Sequence, residues 1–464
     1  MTASNHRPAP SDRLRAFLSH APSGSAKALA ILSSAESLTD WLAERLVRLA
    51  SKNGKLYAKP FVSALHTCGF VVERNGEWHF SSSERSYLVH SLLQNKLLYG
   101  AAHNELLALT QNYTQRSSEF DLPYYLSLPA AVAYHSTALN PEKSYLYSAA
   151  YSADPSLTWL GAQLAKEQIE IGLIQKADIA ASFLIGMSQY REGKKNDALQ
   201  ILKSIAVSDE VRLEVAISAH LYGQSIRHHD PVAAIALLQK SLVLLESLDD
   251  RFGQAQVMHT LGQALWRIDS KSAETYLRKS VEIGLEIGRQ QHVSDVYHTL
   301  GQVLWKTQKK EAEQLLRMSI DIDSENGNQS GLAKVLHTLG QKLRSSNPKD
   351  AEAFLRQSLE IERQVGSRYG QAQVLHTLAQ HLLSSDEREA ERLLRESLAL
   401  GQVTNNMRHQ AIVCLTLGKL LQAKNPVEAI QFFKRSLQLN QVMESREGER
   451  LVLREMRRLG LIKI

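Results

Sequence analysis

One heptapeptide recurs along this chain at a constant interval. VMHTLGQ occupies residues 257–263, VYHTLGQ 296–302, VLHTLGQ 335–341 and VLHTLAQ 374–380, a step of 39 residues each time. One step earlier stands SAHLYGQ (218–224), and one step later VCLTLGK (413–419). A second block keeps the interval: Ala234, Ala273, Ala312, Ala351, Ala390 and Ala429; then Leu238, Leu277, Leu316, Leu355, Leu394 and Phe433; then Ser241, Ser280, Ser319, Ser358, Ser397 and Ser436. A fixed period of this size marks an array whose single unit cannot bury its own apolar face, so that neighbours bury it in turn.

Each period reads as two helices. Val257, Met258, Leu261, Gly262 and Leu265 form one stripe at helical spacing. Glycine costs a helix up to about 1 kcal/mol. Even so, Gly223, Gly262, Gly301, Gly340 and Gly418 recur at one point, with Ala379 in the fifth unit. That predicts a close helix–helix approach, and the small alanines and serines of the second helix predict the same. Turns such as Ser346-Asn347-Pro348-Lys349 separate the pair, and Gly288, Gly327 and Gly366 stand where the second helix ends and can supply a left-handed cap.

The units resemble tetratricopeptide repeats of a slightly long variety, through the Leu-Gly pair of the first helix and the Ala, Leu, Ser series of the second. The good match covers residues 213–443, and a looser unit at 181–205 keeps Gly186, Ala198 and Leu202. The departures are the longer period, serine where the family usually has alanine, and no regular proline after the second helix. The resemblance implies an all-α protein: a right-handed superhelical α-solenoid of about seven repeats over 176–445. A capping helix over 446–464, with Leu451, Met456 and Leu459 among arginines, closes it.

Ahead of the repeats, residues 1–12 are polar and contain proline, the pattern of a disordered tail. Apolar-periodic segments at 26–33, 38–49 and 57–68 lead to a strand pattern, Phe70-Val71-Val72; Asn75-Gly76 is a hairpin signal, and Trp78-His79-Phe80 returns. Ser82 or Ser83 then caps a helix carrying Tyr87, Leu88, Leu92 and Leu93. Helices followed by a two-stranded wing resemble a small winged-helix domain, here at 13–100. Helical pattern continues over 101–175 as an arm, broken by Pro123, Pro129 and Pro155.

The order of winged helix, arm and tetratricopeptide superhelix resembles the carboxy-terminal half of STAND-class signalling ATPases. Their phosphate loop, G-x-x-x-x-G-K-[ST], does not occur here. Gly193-Lys194-Lys195 lacks the upstream glycine and the following hydroxyl, and the residues before Leu14 leave no room for an NTPase. ATPase activity is therefore not carried over.

The most visible polar feature is a histidine series, His220, His259, His298, His337 and His376, followed four residues on by Gln224, Gln263, Gln302, Gln341 and Gln380. At about 100° per residue, His259 points about 200° away from Leu261 and within about 40° of Gln263. The pair therefore faces away from the apolar stripe, on the side that lines the concave groove of tetratricopeptide arrays. Gln256, Asp295, Lys334 and Gln373 lie one turn earlier on that side, and Trp266, Trp305 and Arg344 one turn later. Two readings stand open. The ladder can bind the backbone of an extended or helical peptide, or it can hydrogen-bond neighbouring helices to one another. Metal is not expected, because neighbouring helices sit about 8–10 Å apart while zinc needs nitrogens at about 2.0–2.1 Å.

Composition bounds the rest. Lys plus Arg is 54 against 48 Asp plus Glu in 464 residues, and a net +6 does not by itself argue for nucleic acid. The presumed recognition segment, 57–68, brings Lys59 and His66 beside Lys55, and the wing adds Arg74; Lys55, Lys59 and Arg74 are the candidate DNA contacts. The two cysteines, Cys68 and Cys414, make no disulfide framework, so a reducing, cytoplasmic setting is expected. No apolar run approaches the roughly 20 residues of a membrane span. No nucleophile elbow, zinc-protease motif or nucleotide loop appears, so neither enzyme activity nor a cofactor is expected.

The function these features point to is a scaffold or sensor that binds a protein or peptide in the groove, in signalling or regulation. A second reading is a transcription regulator with a DNA-binding winged helix and ligand-sensing repeats. A third is a sensor subunit working with a separate STAND-type NTPase, with host defence as a setting.

Overall fold

The computed structural model describes residues 10–51, 56–111, 113, 117, 120–145, 147, 158–175 and 178–460. The chain divides into two compact units, Met1–Leu248 and Asp249–Ile464.

In the first unit, α1 (Asp12–His20), α2 (Ser25–Leu32), α3 (Asp40–Ala50) and α4 (Ala58–Leu65) precede an antiparallel hairpin of β1 (Val71–Arg74) and β2 (Glu77–Phe80). Asn75 and Gly76 take φ of 54° and 79°, the pair of positive values that a tight hairpin turn demands. Leu38 adds a single bridge to Trp78 through two backbone hydrogen bonds. Residues 1–9 of the expected tail lie outside the described residues; within the rest of it, Ser11 accepts from the Leu14 amide and starts α1.

Next come α5 (Ser82–Leu93), α6 (Lys96–Gln111), α7 (Pro129–Leu139) and α8 (Thr158–Glu170). Ser81 is the N-cap of α5, so the helix begins earlier than a cap at Ser82 or Ser83 would place it. Pro129 does not break a helix but begins one, where its missing amide and fixed φ are suited. Pro123 precedes a single 3₁₀ turn at Tyr124–Ser127, and Pro155 lies outside the described residues.

One hydrophobic core runs from Leu14 to Ile185, so the helix-and-hairpin module and the arm pack as one body. Buried inside it, Arg85 of α5 pairs with Glu36 at 2.7 Å and with Glu167 of α8, and Tyr134 of α7 donates to Glu167. His103 Nδ1 and His135 Nδ1 lie 2.9 Å apart, and burial holds both rings neutral, pushing His103 down to about 3. The unit ends with two helix pairs, α9 (Ile179–Arg191) with α10 (Lys195–Ala206) and α11 (Leu213–Ile226) with α12 (Pro231–Ser247).

The second unit is a stack of five helix pairs: α13 (Arg251–Leu265) and α14 (Ser270–Glu286), α15 (Gln290–Leu304) and α16 (Lys309–Glu325), α17 (Gln329–Leu343) and α18 (Pro348–Gln364), α19 (Arg368–Leu382) and α20 (Glu387–Val403), α21 (Met407–Leu421) and α22 (Pro426–Val442). Helix α23 (Arg446–Arg458) closes it. It buries Val452 and Met456 and leaves Leu451 exposed, which corrects the apolar face read for the cap.

The recurring glycines sit at the crossing within each pair. A Cβ on Gly262 would stand 2.5 Å from Leu277 Cγ; on Gly301 it would meet Leu316 at 2.8 Å and the Ala312 carbonyl at 2.9 Å. Such separations are far inside van der Waals contact, so the leucine of the second block is the residue that fills the glycine's notch. Each second helix ends in a left-handed residue, and the position recurs at the repeat interval. Gly288, Gly327 and Gly366 have φ of 69°, 67° and 70° as expected, while Asn405 and Glu444 take 50° and 52° without being glycine.

The second-block serine does more than stay small. Ser280, Ser358, Ser397 and Ser436 each donate through Oγ to a main-chain carbonyl of the first helix, that of Ala255, Ala333, Ala372 and Ala411, all at 2.7 Å. Ser319 makes the same bond to Ser294 at 2.9 Å. These hydroxyls are fully buried, and each makes a bond that an alanine at the same place could not. Side-chain caps of Asp269, Asn347, Asp386 and Asn425 start four of the second helices, whereas α16 begins at Gln308 without one. On their outer surface, arginines link a helix to itself and to the next repeat: Arg278 holds Glu274 and Glu311, and Arg395 holds Glu391 and Glu428, all at 2.8 Å.

Candidate functional site

The histidine ladder of the second unit lies on its first helices, half-buried, with each ring turned toward the next repeat. His259 Nε2 lies 2.8 Å from Thr299 Oγ1, His298 2.8 Å from Thr338, His337 2.8 Å from Thr377 and His376 3.1 Å from Thr416. Thr299, Thr377 and Thr416 spend their single hydroxyl proton on their own helix, donating to the carbonyls of Asp295, Gln373 and Ile412. A lone pair therefore faces the imidazole, and Nε2–H is the donor. The side-chain amides of Gln263, Gln302 and Gln380 end 3.1, 2.7 and 3.2 Å from the same nitrogen of their own histidine, where an Nε2–H can be met only by the amide oxygen and not by its N–H. Burial pushes His298, His337 and His376 down to about 4, so these three rings are neutral at neutral pH.

Thr299, Thr338, Thr377 and Thr416 went unread in the sequence. Their signal was present, since threonine follows histidine in the heptapeptide, but the partner is 40 residues away on the next helix. Two further histidines missed from sequence, His292 and His409, contact Ser280 at 2.9 Å and Ser397 at 2.8 Å. They thereby extend the bond from serine to carbonyl into a third group.

Above the ladder, Gln256, Asp295 and Lys334 are exposed and Gln373 is half-buried. Asp295 keeps a solvent-facing surface, but the packed neighbours that desolvate its carboxyl, with Asp323 beside it, raise that carboxyl against the pull of Lys334. Below it, Trp266, Trp305 and Arg344 are half-buried and Gln341 is exposed. Arg344 Nη1 donates to Gln380 Oε1 at 3.1 Å, which ties two predicted site residues together. His220 and Gln224 lie half-buried on α11 of the first unit, where burial pushes His220 down to about 4.

Of the candidate DNA contacts, Lys59 on α4 and Arg74 on β1 are exposed, and Lys55 lies outside the described residues. His66, read beside them, is turned onto Asp40 Oδ1 at 2.9 Å and packs edge-on against Trp78. Glu77 of the wing is likewise held inside the fold, by Ser37 Oγ at 2.5 Å and the Tyr124 amide at 2.7 Å. Burial raises both thiols, Cys414 to about 11, away from the thiolate that nucleophilic chemistry needs. No group of three or more metal-ligating side chains forms among the described residues.

The chain matches no protein-family model, and no curated protein is similar to it. Among solved structures it is similar to a STAND-class signal transduction ATPase with a tetratricopeptide repeat sensor from Pyrococcus horikoshii, with a TM-score of 0.51, 12% identity and 94% of this chain covered. The chain has the tetratricopeptide-repeat fold. It spans 66% of the length of that ATPase. Further tetratricopeptide-like matches are a Rap protein complexed with Competence and Sporulation Factor (TM-score 0.48, 12% identity, 78% of this chain and 99% of the other) and aspartyl phosphate phosphatase F from Bacillus subtilis (TM-score 0.47, 14% identity, 78% and 95%). Among the described residues of this tetratricopeptide protein, no helix is long and apolar enough to cross a membrane.

Proposed function

We propose that this chain is a non-catalytic scaffold or sensor that holds a protein segment along the first helices of its second unit. In tetratricopeptide arrays that face is the concave one. The observation that carries the reading is a division of labour on that face. The histidine and threonine side chains are tied from one repeat to the next, with Gln263, Gln302 and Gln380 against the histidine of their own helix, while Gln256, Asp295 and Lys334 stand exposed above them, one per repeat. A floor whose polar groups are already satisfied is rigid, and a rigid floor lowers the ordering cost of binding. The exposed row then offers an amide, an acid and a base to a peptide's backbone and side chains. The ladder thus serves as the support of the site, and the row above it makes the contact.

The test is to select binding peptides from a random display library against the whole chain and to follow amide hydrogen exchange with a selected peptide bound. Added protection concentrated on α13, α15, α17 and α19 supports the reading. Protection confined to the second helices, or to the first unit, would overturn it.

A further inference from the structure

On the second helices Arg278, Arg317, Arg356 and Arg395 each pair with a glutamate one turn back, whereas a group of cations at the end of the first-helix face is left without acids. Trp305, at the end of α15, carries a cation on each side: Lys309 Nζ of α16 lies 5.7 Å from the indole centroid and Lys342 Nζ of α17 lies 6.0 Å from it. Lys342 is half-buried, and Lys306 is close enough to disfavour its charge further. Arg344, half-buried two residues on, gives its hydrogen bonds to the neutral groups Gln341 O and Gln380 Oε1. No ion pair involves Lys306, Lys309, Lys342 or Arg344 among the described residues. Lys309 also occupies the first turn of α16, the second helix of this unit that starts without an Asp or Asn cap. Glu311 of the same first turn is held by Arg278 of the preceding repeat, so it is not given to Lys309.

Two cations over one indole, with Lys306 beside the partly desolvated Lys342 and none of the three in an ion pair, form a surface whose electrostatic complement is a cluster of carboxylates. We propose that this Trp305 corner binds an acidic segment of a partner protein, whose glutamate or aspartate side chains lie between Lys306, Lys309 and Lys342 while its stem methylenes cover the indole. The inference rests on the peptide-binding reading above and names the chemistry of one end of that ligand. A protein segment fits better than a nucleic acid. The cations occupy one corner rather than a track, and Asp295 on the same helix would repel a continuing phosphate backbone.

The probe is a fluorescein-labelled hexaglutamate peptide, with hexaglutamine as control, titrated into the whole chain at low salt. The expected result is hexaglutamate binding about tenfold tighter than hexaglutamine, a preference lost in Lys306→Gln/Lys342→Gln. Lys306 is exposed in the turn after α15 and Lys342 is half-buried on α17, so an unchanged melting temperature separates lost binding from lost folding. Equal binding of the two peptides, equal binding by the variant, or preferential binding of a single-stranded oligonucleotide through the same lysines would overturn the proposal. Library-selected peptides that bind without acidic bias and ignore the double substitution overturn this proposal and leave the groove reading standing; failure to select any peptide counts against both.

Discussion

Ser358 Oγ donates to the carbonyl of Ala333 at 2.7 Å, joining the middle of α18 to the middle of α17. The same bond stands 39 residues further on, from Ser397 to Ala372. It is a side chain's hold on a backbone, made where no water reaches, and it fixes how one helix of a pair slides along the other. Ser358→Ala keeps the close approach and removes only the bond. The expected cost is about 1 kcal/mol, read as a lower denaturant midpoint. Ser358→Val, which overfills the crossing, is expected to cost more. A midpoint unchanged in Ser358→Ala would mean that the hydroxyl is a passenger.

A second relationship links each pair to the next by size. Gly284 of α14 faces His292 of α15, and Gly401 of α20 faces His409 of α21. Where the second helix instead carries Asp323, Glu362 or Asn440, the following first helix carries Gly331, Gly370 or Gly448, and a Cβ there would collide with that side chain, at 2.5 Å from Asp323 Oδ2 for Gly331. At each of these junctions one side is glycine and the other is large. Gly331→His alone is expected to destabilise by about 1–3 kcal/mol. Combined with Asp323→Gly it should recover most of that loss. A double-mutant cycle with no coupling would refute the match.

The ladder makes stability depend on pH with a definite sign. His298, His337 and His376 sit at about 4 in the folded chain against 6.5 for an ordinary imidazole. Between these values the unfolded chain binds protons that the folded chain refuses, so stability falls as pH drops from about 6.5 toward 4 and is unaffected above 6.5. The limiting slope is about 1.4 kcal/mol per pH unit for each such histidine. Urea midpoints of the wild type and of a His298→Gln/His337→Gln variant check this, the variant giving the shallower fall. Because both rings bond the next repeat, that variant is also expected to be less stable at pH 7.

Lys59 and Arg74 are the exposed cations of the helix-and-hairpin module that a DNA reading would need. His66, read beside them, is committed to Asp40. Retention on immobilised duplex DNA at low salt is expected to be weak and unchanged by Lys59→Glu/Arg74→Glu. Strong retention abolished by the pair would restore the DNA-binding alternative.

The repeat interval, the glycine notch and the caps at Gly288, Gly327 and Gly366 were legible because each is a local demand that one residue type meets. The left-handed Glu444 was not, since glutamate carries no sign of that backbone. Nor was the bond from His298 to Thr338. Helical geometry shows which way a side chain leaves its own helix, but not what the neighbouring helix brings to meet it. The exchange at Gly284 and His292 against Asp323 and Gly331 could have been read by setting the repeats beneath one another, as a column that changes size together with a second column eight residues on.

Binding along the first helices is tested most directly by the affinity of one library-selected peptide for the whole chain and for its Asp295→Lys/Lys334→Glu variant. Both side chains are exposed, and neither takes part in the lattice from histidine to threonine. The expected outcome is a dissociation constant raised by about tenfold or more at an unchanged melting temperature. An affinity indifferent to reversing both charges would contradict the account.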